Sequence, residues 1–275
     1  MNLHNVLHEI EKVDPEVYER LDTRRAAMKS FAGLGKKLAL TAIPLALGSM
    51  FKKAYAGTLD TAVEILNYAL TLEYLESEFY KQGNAASNLI PAGAAKGAIE
   101  TIGAHEAAHV AFLTTAIKGA GGTPVAMPQF DFTAGGAFGN VFTNYGTFLA
   151  VAQTFEDTGV RAYKGRAAEL VGGGDLLTAA LNIHSVEARH ASHIRQMRKA
   201  NNFGDAKPWI TGKDTAGIGS AVQASYDGEE NTTQATIQIT NINGMAISAN
   251  AASEAFDEGL TKEQVLAIVS PFIKS

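Results

Sequence analysis

Two short motifs in this chain of 275 residues carry the side chains that a two-metal carboxylate site requires. Each is a Glu-x-x-His, at Glu106–His109 and at Glu187–His190, and on a helix both side chains of such a motif lie on one face. A further glutamate precedes each motif, Glu73 by 33 residues and Glu156 by 31. Hard oxygen ligands with one imidazole for each ion suit iron or manganese. One Glu-x-x-His is a weak signal, but the repeated set of six residues predicts a two-metal site.

The spacing along the chain places both sets of residues at one depth in a pair of helical hairpins. The midpoint of the first set falls near residue 90, inside the turn-like link 88–91. The midpoint of the second set falls near residue 172, inside the triple glycine 172–174. Residues equidistant from a turn lie at the same height in antiparallel helices, so each set lies about 15 residues, or roughly 22 Å, from its turn.

Five of the seven histidines follow residue 56, and all five fall in the two helices that carry the motifs: His105, His109, His184, His190 and His193. His105 is adjacent to Glu106 and points about 100° away from it around the helix. His184 and His193 lie about one turn on either side of the second motif. We interpret His105, His184 and His193 as surface residues or neighbours of the ligands.

The likeness between the two halves extends to a tyrosine, because Tyr80 follows Glu73 and Tyr163 follows Glu156 by seven residues each. These tyrosines either pack in the core, which is the commoner role of such a residue, or donate hydrogen bonds near the site.

Two further glutamates, Glu76 and Glu78, lie on the same predicted helix as Glu73. They align in the repeat with Gly159 and Arg161, which favours solvated charge over a role as ligands.

His105-Glu106-x-x-His109 also matches the H-E-x-x-H motif of zinc proteases, in which both histidines bind zinc and the glutamate acts as the base. The extended form of that motif needs glycine and histidine where this chain has Phe112 and Thr115. A zinc metalloprotease is therefore the alternative interpretation, and it leaves Glu73, Glu156 and His190 without a role.

Four apolar-periodic stretches predict an all-α bundle in residues 57–200, with helices at about 59–82, 92–118, 144–170 and 176–201. The first and third connections are short, whereas the second is a Gly/Pro/Phe-rich stretch over residues 119–142. Short, long and short connections are typical of a ferritin-like four-helix bundle with one long crossover.

The first 56 residues indicate a twin-arginine-type export signal and a periplasmic or otherwise exported protein. Arg24-Arg25 precedes an apolar run of about ten residues, too short to span a bilayer, and Ala54-Tyr55-Ala56 then forms a small-x-small cleavage pattern. The alternative is an amphipathic helix that stays on the protein.

Composition excludes several classes of function. The absence of cysteine excludes thiolate zinc sites, iron–sulfur clusters and disulfides. Residues 57–275 hold 14 Lys/Arg and 22 Asp/Glu, a net charge of −8, so no nucleic-acid partner is expected.

Residues 201–275 are predicted to form an appendage on the bundle that shields the site or makes an oligomer contact. Residues 232–240 alternate like a strand, and Asn243-Gly244 marks a hairpin turn. Thr261-x-x-Gln264 resembles a capping box that opens a short helix, which runs to Val269 and stops at Pro271.

The six residues resemble the ligand pattern of the ferritin-like superfamily, which includes bacterioferritins, rubrerythrins and manganese catalases. Residues 66–76 (LNYALTLEYLE) and 252–258 (ASEAFDE) are similar to exported bacterial ferritin-like proteins related to plant desiccation-related proteins. The resemblance implies that Glu73 and Glu156 are terminal ligands, that Glu106 and Glu187 bridge two iron or two manganese ions, and that His109 and His190 each bind one ion.

Three functions remain open at this point. The first is a ferroxidase- or catalase-like enzyme acting on oxygen, peroxide or ferrous iron, and the second is iron handling or stress protection without sustained turnover. The third is a structural bundle with a vestigial site. A homo-oligomer is compatible with all three.

Overall fold

Four long helices dominate the computed structural model, which describes residues 59–171 and 173–274. They are α1 (Leu59–Ala85), α2 (Ala94–Gly119), α3 (Tyr145–Ala167) and α4 (Asp175–Ala200). α1 packs along α2, and α3 packs along α4, so the chain forms two helical hairpins joined by one long crossover. The predicted ferritin-like bundle is confirmed. The predicted export signal, residues 1–56, lies outside the described residues.

The third helix is the most deeply buried of the four. Between Phe148 and Tyr163 every residue of α3 except Ala150 is buried, because α1, α4 and the appendage all pack against it. The buried stretch includes charged side chains such as Asp157 and Arg161. A buried charge is costly unless it is paired, so each of these side chains needs a specific partner.

The crossover, residues 120–144, packs on the bundle through aromatic rings. It contains turns and one isolated bridge to the end of the chain. Phe132 and Phe142 lie with their ring centroids 5.3 and 5.6 Å from that of Phe79, and Phe79 stacks on Phe148 at 4.8 Å. Asn144 then caps α3 by accepting a hydrogen bond from the backbone N–H of Thr147.

The appendage contains two short hairpins in tandem where the alternation of residues 232–240 predicts one strand. β1 and β2 (Thr233–Gln234, Ile237–Gln238) form the first, and β3 and β4 (Asn241–Ile242, Met245–Ala246) form the second. The second turn is the predicted Asn243-Gly244. The first turn is Ala235-Thr236, at φ of 47° and 69°. Alanine and threonine rarely adopt positive φ, so nothing in their identity predicts this turn.

Two short helices complete the appendage: α5 (Ala249–Ser253) and α6 (Lys262–Val269). The predicted capping box is confirmed, because Thr261 accepts from the N–H of Gln264 and the Gln264 side chain accepts from the N–H of Thr261. After α6 the chain enters a 3₁₀ turn that contains Pro271.

Three almost fully buried arginines of the bundle, Arg161, Arg195 and Arg198, bind the appendage. Arg161 forms an ion pair of 2.7 Å with Glu229 and donates to the backbone carbonyls of residues 225, 227 and 258. Arg195 donates twice to Asp157 and once to the carbonyl of residue 209, and Arg198 donates to those of residues 203 and 216. The appendage is thus held by charge-assisted hydrogen bonds as well as apolar contact.

Within the described residues, no helix is long and apolar enough to cross a bilayer.

Candidate metal centre

Each bundle helix brings one glutamate to the centre of the bundle, and the glutamate lies near the middle of its helix: Glu73 on α1, Glu106 on α2, Glu156 on α3 and Glu187 on α4. All four side chains are fully buried. His109 and His190 lie one turn further along α2 and α4 and face the same space. The structure therefore brings together all six residues that the sequence singles out.

The six residues form two overlapping groups whose potential ligand atoms lie within 4.8 Å of one another. The first group is Glu73, Glu106, His109 and Glu187, and the second is Glu106, Glu156, Glu187 and His190. Glu106 and Glu187 belong to both groups, and every other member belongs to one. This is the sharing that two ions with two common carboxylates would require. That the six residues bind metal stays a prediction.

In the first group, the Nδ1 atom of His109 contacts three carboxylates at equal distances. It lies 3.1 Å from Oε2 of Glu73, 3.1 Å from Oε2 of Glu106 and 3.1 Å from Oε1 of Glu187. One ring nitrogen carries at most one proton, so it cannot satisfy three oxygen atoms by hydrogen bonding. Three acceptor oxygens thus surround one ring nitrogen, which has too few protons to donate to each of them.

In the second group, the Nδ1 atom of His190 lies 2.8 Å from Glu106 and 3.3 Å from both Glu156 and Glu187. Despite these short distances, Nδ1 makes no well-directed hydrogen bond, and neither do both oxygens of Glu187 and one oxygen each of Glu106 and Glu156. Because a hydrogen bond weakens steeply when misaligned, the short separations do not satisfy these atoms. Five buried polar atoms therefore point at a common space.

These observations fit a pair of cations. Ligands about 2.1 Å from a six-coordinate ion and at right angles to each other lie about 3 Å apart, close to the separations around both imidazoles. Four carboxylates formally balance two divalent ions. Nitrogen and oxygen donors without thiolate suit iron or manganese. A buried polar atom without a hydrogen-bond partner costs about 1–3 kcal/mol, and metal ligation removes that cost.

The electrostatics of the metal-free cluster agree with this fit. Burial alone lowers the pKa of His109 and His190, but the surrounding carboxylates outweigh burial and raise both pKa values to about 12. Burial and then the charge of neighbouring glutamates raise the pKa of Glu73 and Glu156 well above the usual range. Without cations the cluster therefore holds protons that a metal would have to displace.

Two tyrosines donate hydrogen bonds to Glu73 and Glu156, the glutamates that each belong to a single group. Each tyrosine lies on the hairpin opposite to the glutamate that it contacts. Tyr80 of α1 donates to Oε1 of Glu156 on α3, and Tyr163 of α3 donates to Oε1 of Glu73 on α1, each at 2.5 Å. Both rings are buried. The expectation that favoured plain core packing is therefore incomplete, because both hydroxyl groups orient site carboxylates.

The interpretation of Glu76 as a solvated charge is wrong. Glu76 is only 3% exposed, and burial followed by the charge of Glu187 raises its pKa well above the usual range. A Cβ atom at Gly159 would lie 3.1 Å from Oε1 of Glu76, so the glycine leaves the space that this carboxyl group fills. The alignment of Glu76 with Gly159 is the signal that could have revealed it. Glu78, by contrast, is partly exposed and pairs with Lys81.

The three remaining histidines lie outside both groups. The Nδ1 atom of His105 lies 2.9 Å from Nε2 of His190, and Nδ1 of His184 lies 3.0 Å from the carbonyl of Val160. His193 is exposed. Because His105 faces the outer nitrogen of His190, it does not converge with His109 on one ion as the zinc-protease motif requires.

Comparison with known proteins agrees with the fold. A family model described as a ferritin-like domain matches residues 61–200, from the first turn of α1 to the end of α4. No curated protein sequence matches the chain.

Proposed function

The chain belongs to the ferritin-like domain family, and from that premise we propose that it holds two iron or two manganese ions for chemistry on oxygen or peroxide. The observation that carries the proposal is the pair of overlapping groups, in which four buried carboxylates and two imidazoles converge while five of their polar atoms, among them Nδ1 of His190 and both oxygens of Glu187, have no hydrogen-bond partner.

Each residue has a distinct part in this proposal. Glu106 and Glu187, which belong to both groups, would serve both ions, while Glu73 with His109 and Glu156 with His190 would each serve one. Tyr80 and Tyr163 fix the two glutamates that serve a single position. Bound there, two iron or manganese ions would supply a pair of redox-active centres for oxygen or peroxide. The buried surroundings keep bulk water from the carboxylates.

The chain itself offers no thiolate ligand for an electron-transfer iron site, because it contains no cysteine. We therefore propose that any electrons come from the substrate, as in ferrous-iron oxidation or peroxide disproportionation. Iron handling and protection against peroxide stress follow from these two reactions.

The reaction is tested on protein reconstituted separately with ferrous iron and with manganese. We expect oxygen-dependent oxidation of ferrous iron, disproportionation of hydrogen peroxide, or both. The Glu106→Ala/Glu187→Ala double variant should lose the activity, since both shared carboxylates are gone. Two tightly bound ions without either reaction would contradict the redox proposal and favour a structural site.

We further propose that residues 1–56 direct export to the periplasm. The test is the amino terminus and location of the mature protein, with Arg24→Lys/Arg25→Lys as the comparison. Cleavage before Gly57 in the parent and retention in the cytoplasm for the double variant are expected. A parent protein that stays uncleaved in the cytoplasm would contradict export.

A further inference from the structure

A cavity of about 320 Å³ lies between α2 and α4, directly outside the carboxylate cluster. We call it the α2–α4 cavity. Its lining includes Gly97, Thr101, His105, Arg189, His190 and His193. Most of these residues are exposed, whereas His190 is buried and forms part of the floor.

The cavity meets the cluster through a single imidazole ring. His190 turns Nδ1 toward the carboxylates and Nε2 toward Nδ1 of His105 at 2.9 Å. The rings of His105 and His190 are nearly parallel, with centroids 5.2 Å apart. A small molecule in the cavity would therefore lie beside the second group of ligands.

The opposite side of the cluster is covered. Between α1 and α3 the appendage places Val269 of α6 over Leu72 and Phe155, and the space left beside Glu76 is only about 10 Å³. That space holds about one water molecule at most. Of these two sides, the one between α2 and α4 is the side where a ligand has room.

Charge decides which ligands the cavity favours. Arg189 is the charged residue of the lining, His105 and His193 add uncharged imidazoles, and no carboxylate lines the cavity. A cleft lined by one sign of charge concentrates ligands of the opposite sign and repels those of its own. Two divalent ions would formally neutralise the four glutamates of the two groups, and the raised pKa of Glu76 favours its uncharged form, so an anion in the cavity would meet no net negative charge behind His190.

We infer that the α2–α4 cavity binds a small anion beside the metal centre. This inference rests on the proposed function and deepens it, because it names the charge class of the molecule that approaches the cluster from this side. Arg189 supplies the permanent charge of the site, and the small residue Gly97 supplies the room.

Azide is a suitable probe, and its dissociation constant is measured by isothermal titration calorimetry on iron- or manganese-loaded protein. Arg189→Glu should weaken azide binding at least about tenfold, because it reverses the charge of the lining. Lys118→Glu also replaces a cationic side chain with a carboxylate, but in the last turn of α2 and outside the cavity lining. It should leave azide binding unaltered.

Gly97→Phe fills the cavity from α2, where a Cβ atom would meet nothing within 4 Å. It should also abolish most azide binding without loss of metal, whereas Ala94→Phe, an exposed position outside the lining, should not. Metal content is measured on every variant.

The outcomes separate this inference from the proposed function. Parent protein that holds two ions but binds azide equally well after Gly97→Phe and Arg189→Glu, or does not bind it at all, would overturn the anion site alone. Parent protein that holds no ions would overturn both.

Discussion

The two halves of the cluster carry matched side chains in unmatched surroundings. Each half has one glutamate of its own and one Glu-x-x-His, and a tyrosine from the other hairpin donates to each of those glutamates. Outside these residues the match ends. His190 has an imidazole, His105, at its outer nitrogen, whereas the residue that precedes Glu187 at the equivalent place is Val186.

A second difference lies between α1 and α3, where Glu76 on one helix faces Gly159 on the other. The comparison teaches that the internal repeat determines which residues converge, while departures from the repeat make the surroundings of the two groups unequal. The group that contains His190 has an outer partner and an adjacent cavity, and the group that contains His109 has neither among the contacts described above.

The largest effect should come from the carboxylates common to both halves. Glu187→Ala should lose both ions, because Glu187 belongs to both groups, whereas Glu156→Ala should lose the ion of the second group alone. Metal analysis after reconstitution and dialysis measures this. If both variants are folded by circular dichroism and lose the same amount of metal, Glu187 does not serve both ions while Glu156 serves one, and the prediction is wrong.

The next effect should fall on one half only. His105→Ala removes the partner that orients His190, and loss of such a partner typically costs about 10–100-fold in metal affinity. Metal titration should show one affinity unaltered and the other weakened relative to the parent protein.

Val186→Ala is the matched control for His105→Ala and should leave both affinities unchanged. His105→Asn, which keeps an acceptor near Nε2 of His190, should restore part of the loss. A uniform weakening of both positions by His105→Ala would contradict the inequality of the halves.

Variants of Tyr80 and Tyr163 test the hydrogen bond from a tyrosine to a glutamate that both halves share. Tyr80→Phe and Tyr163→Phe each leave a buried carboxyl oxygen without its donor, so each should lower the free energy of unfolding of the metal-free protein by about 1–3 kcal/mol. Urea unfolding of both variants provides the measurement. A decrease in only one of them would show that the crossed hydrogen bonds are not equivalent.

The smallest effect concerns Glu76, and it depends on pH. Since folding raises the pKa of this carboxyl group, folding penalises its ionised form, and the penalty grows as pH rises above the unfolded value. Glu76→Gln should therefore stabilise the metal-free protein by about 1 kcal/mol or more at pH 8, and the gain should shrink toward pH 4.

Glu78→Gln is the control for Glu76→Gln, because Glu78 is partly exposed and pairs with Lys81 at the surface. It should change stability little at any pH. A Glu76→Gln variant less stable than the parent at pH 8 would mean that the carboxylate is needed in its ionised form.

The bundle and the six residues could be predicted because local signals mark them. Gly, Pro and Asn residues mark the ends of the helices. Each Glu-x-x-His lies within a single helix, so its spacing alone identifies the motif. The predicted limits differ from the observed ones by only a few residues, as where α1 continues to Ala85 beyond the expected end at 82.

Features that depend on packing could not be predicted in this way. The burial of Arg161 and Glu76 depends on partners that are remote in sequence, Glu229 for the one and the space at Gly159 for the other. The turn at Ala235-Thr236 uses residues that normally avoid positive φ, so a strand was the better local prediction.

The most direct test of the two-ion centre is anomalous diffraction from crystals of the protein loaded with iron or with manganese. The account predicts two anomalous peaks in each bundle, both in contact with Glu106 and Glu187, one beside His109 and the other beside His190. A single peak bound by His105 and His109, or no peak within the cluster after loading, would contradict it.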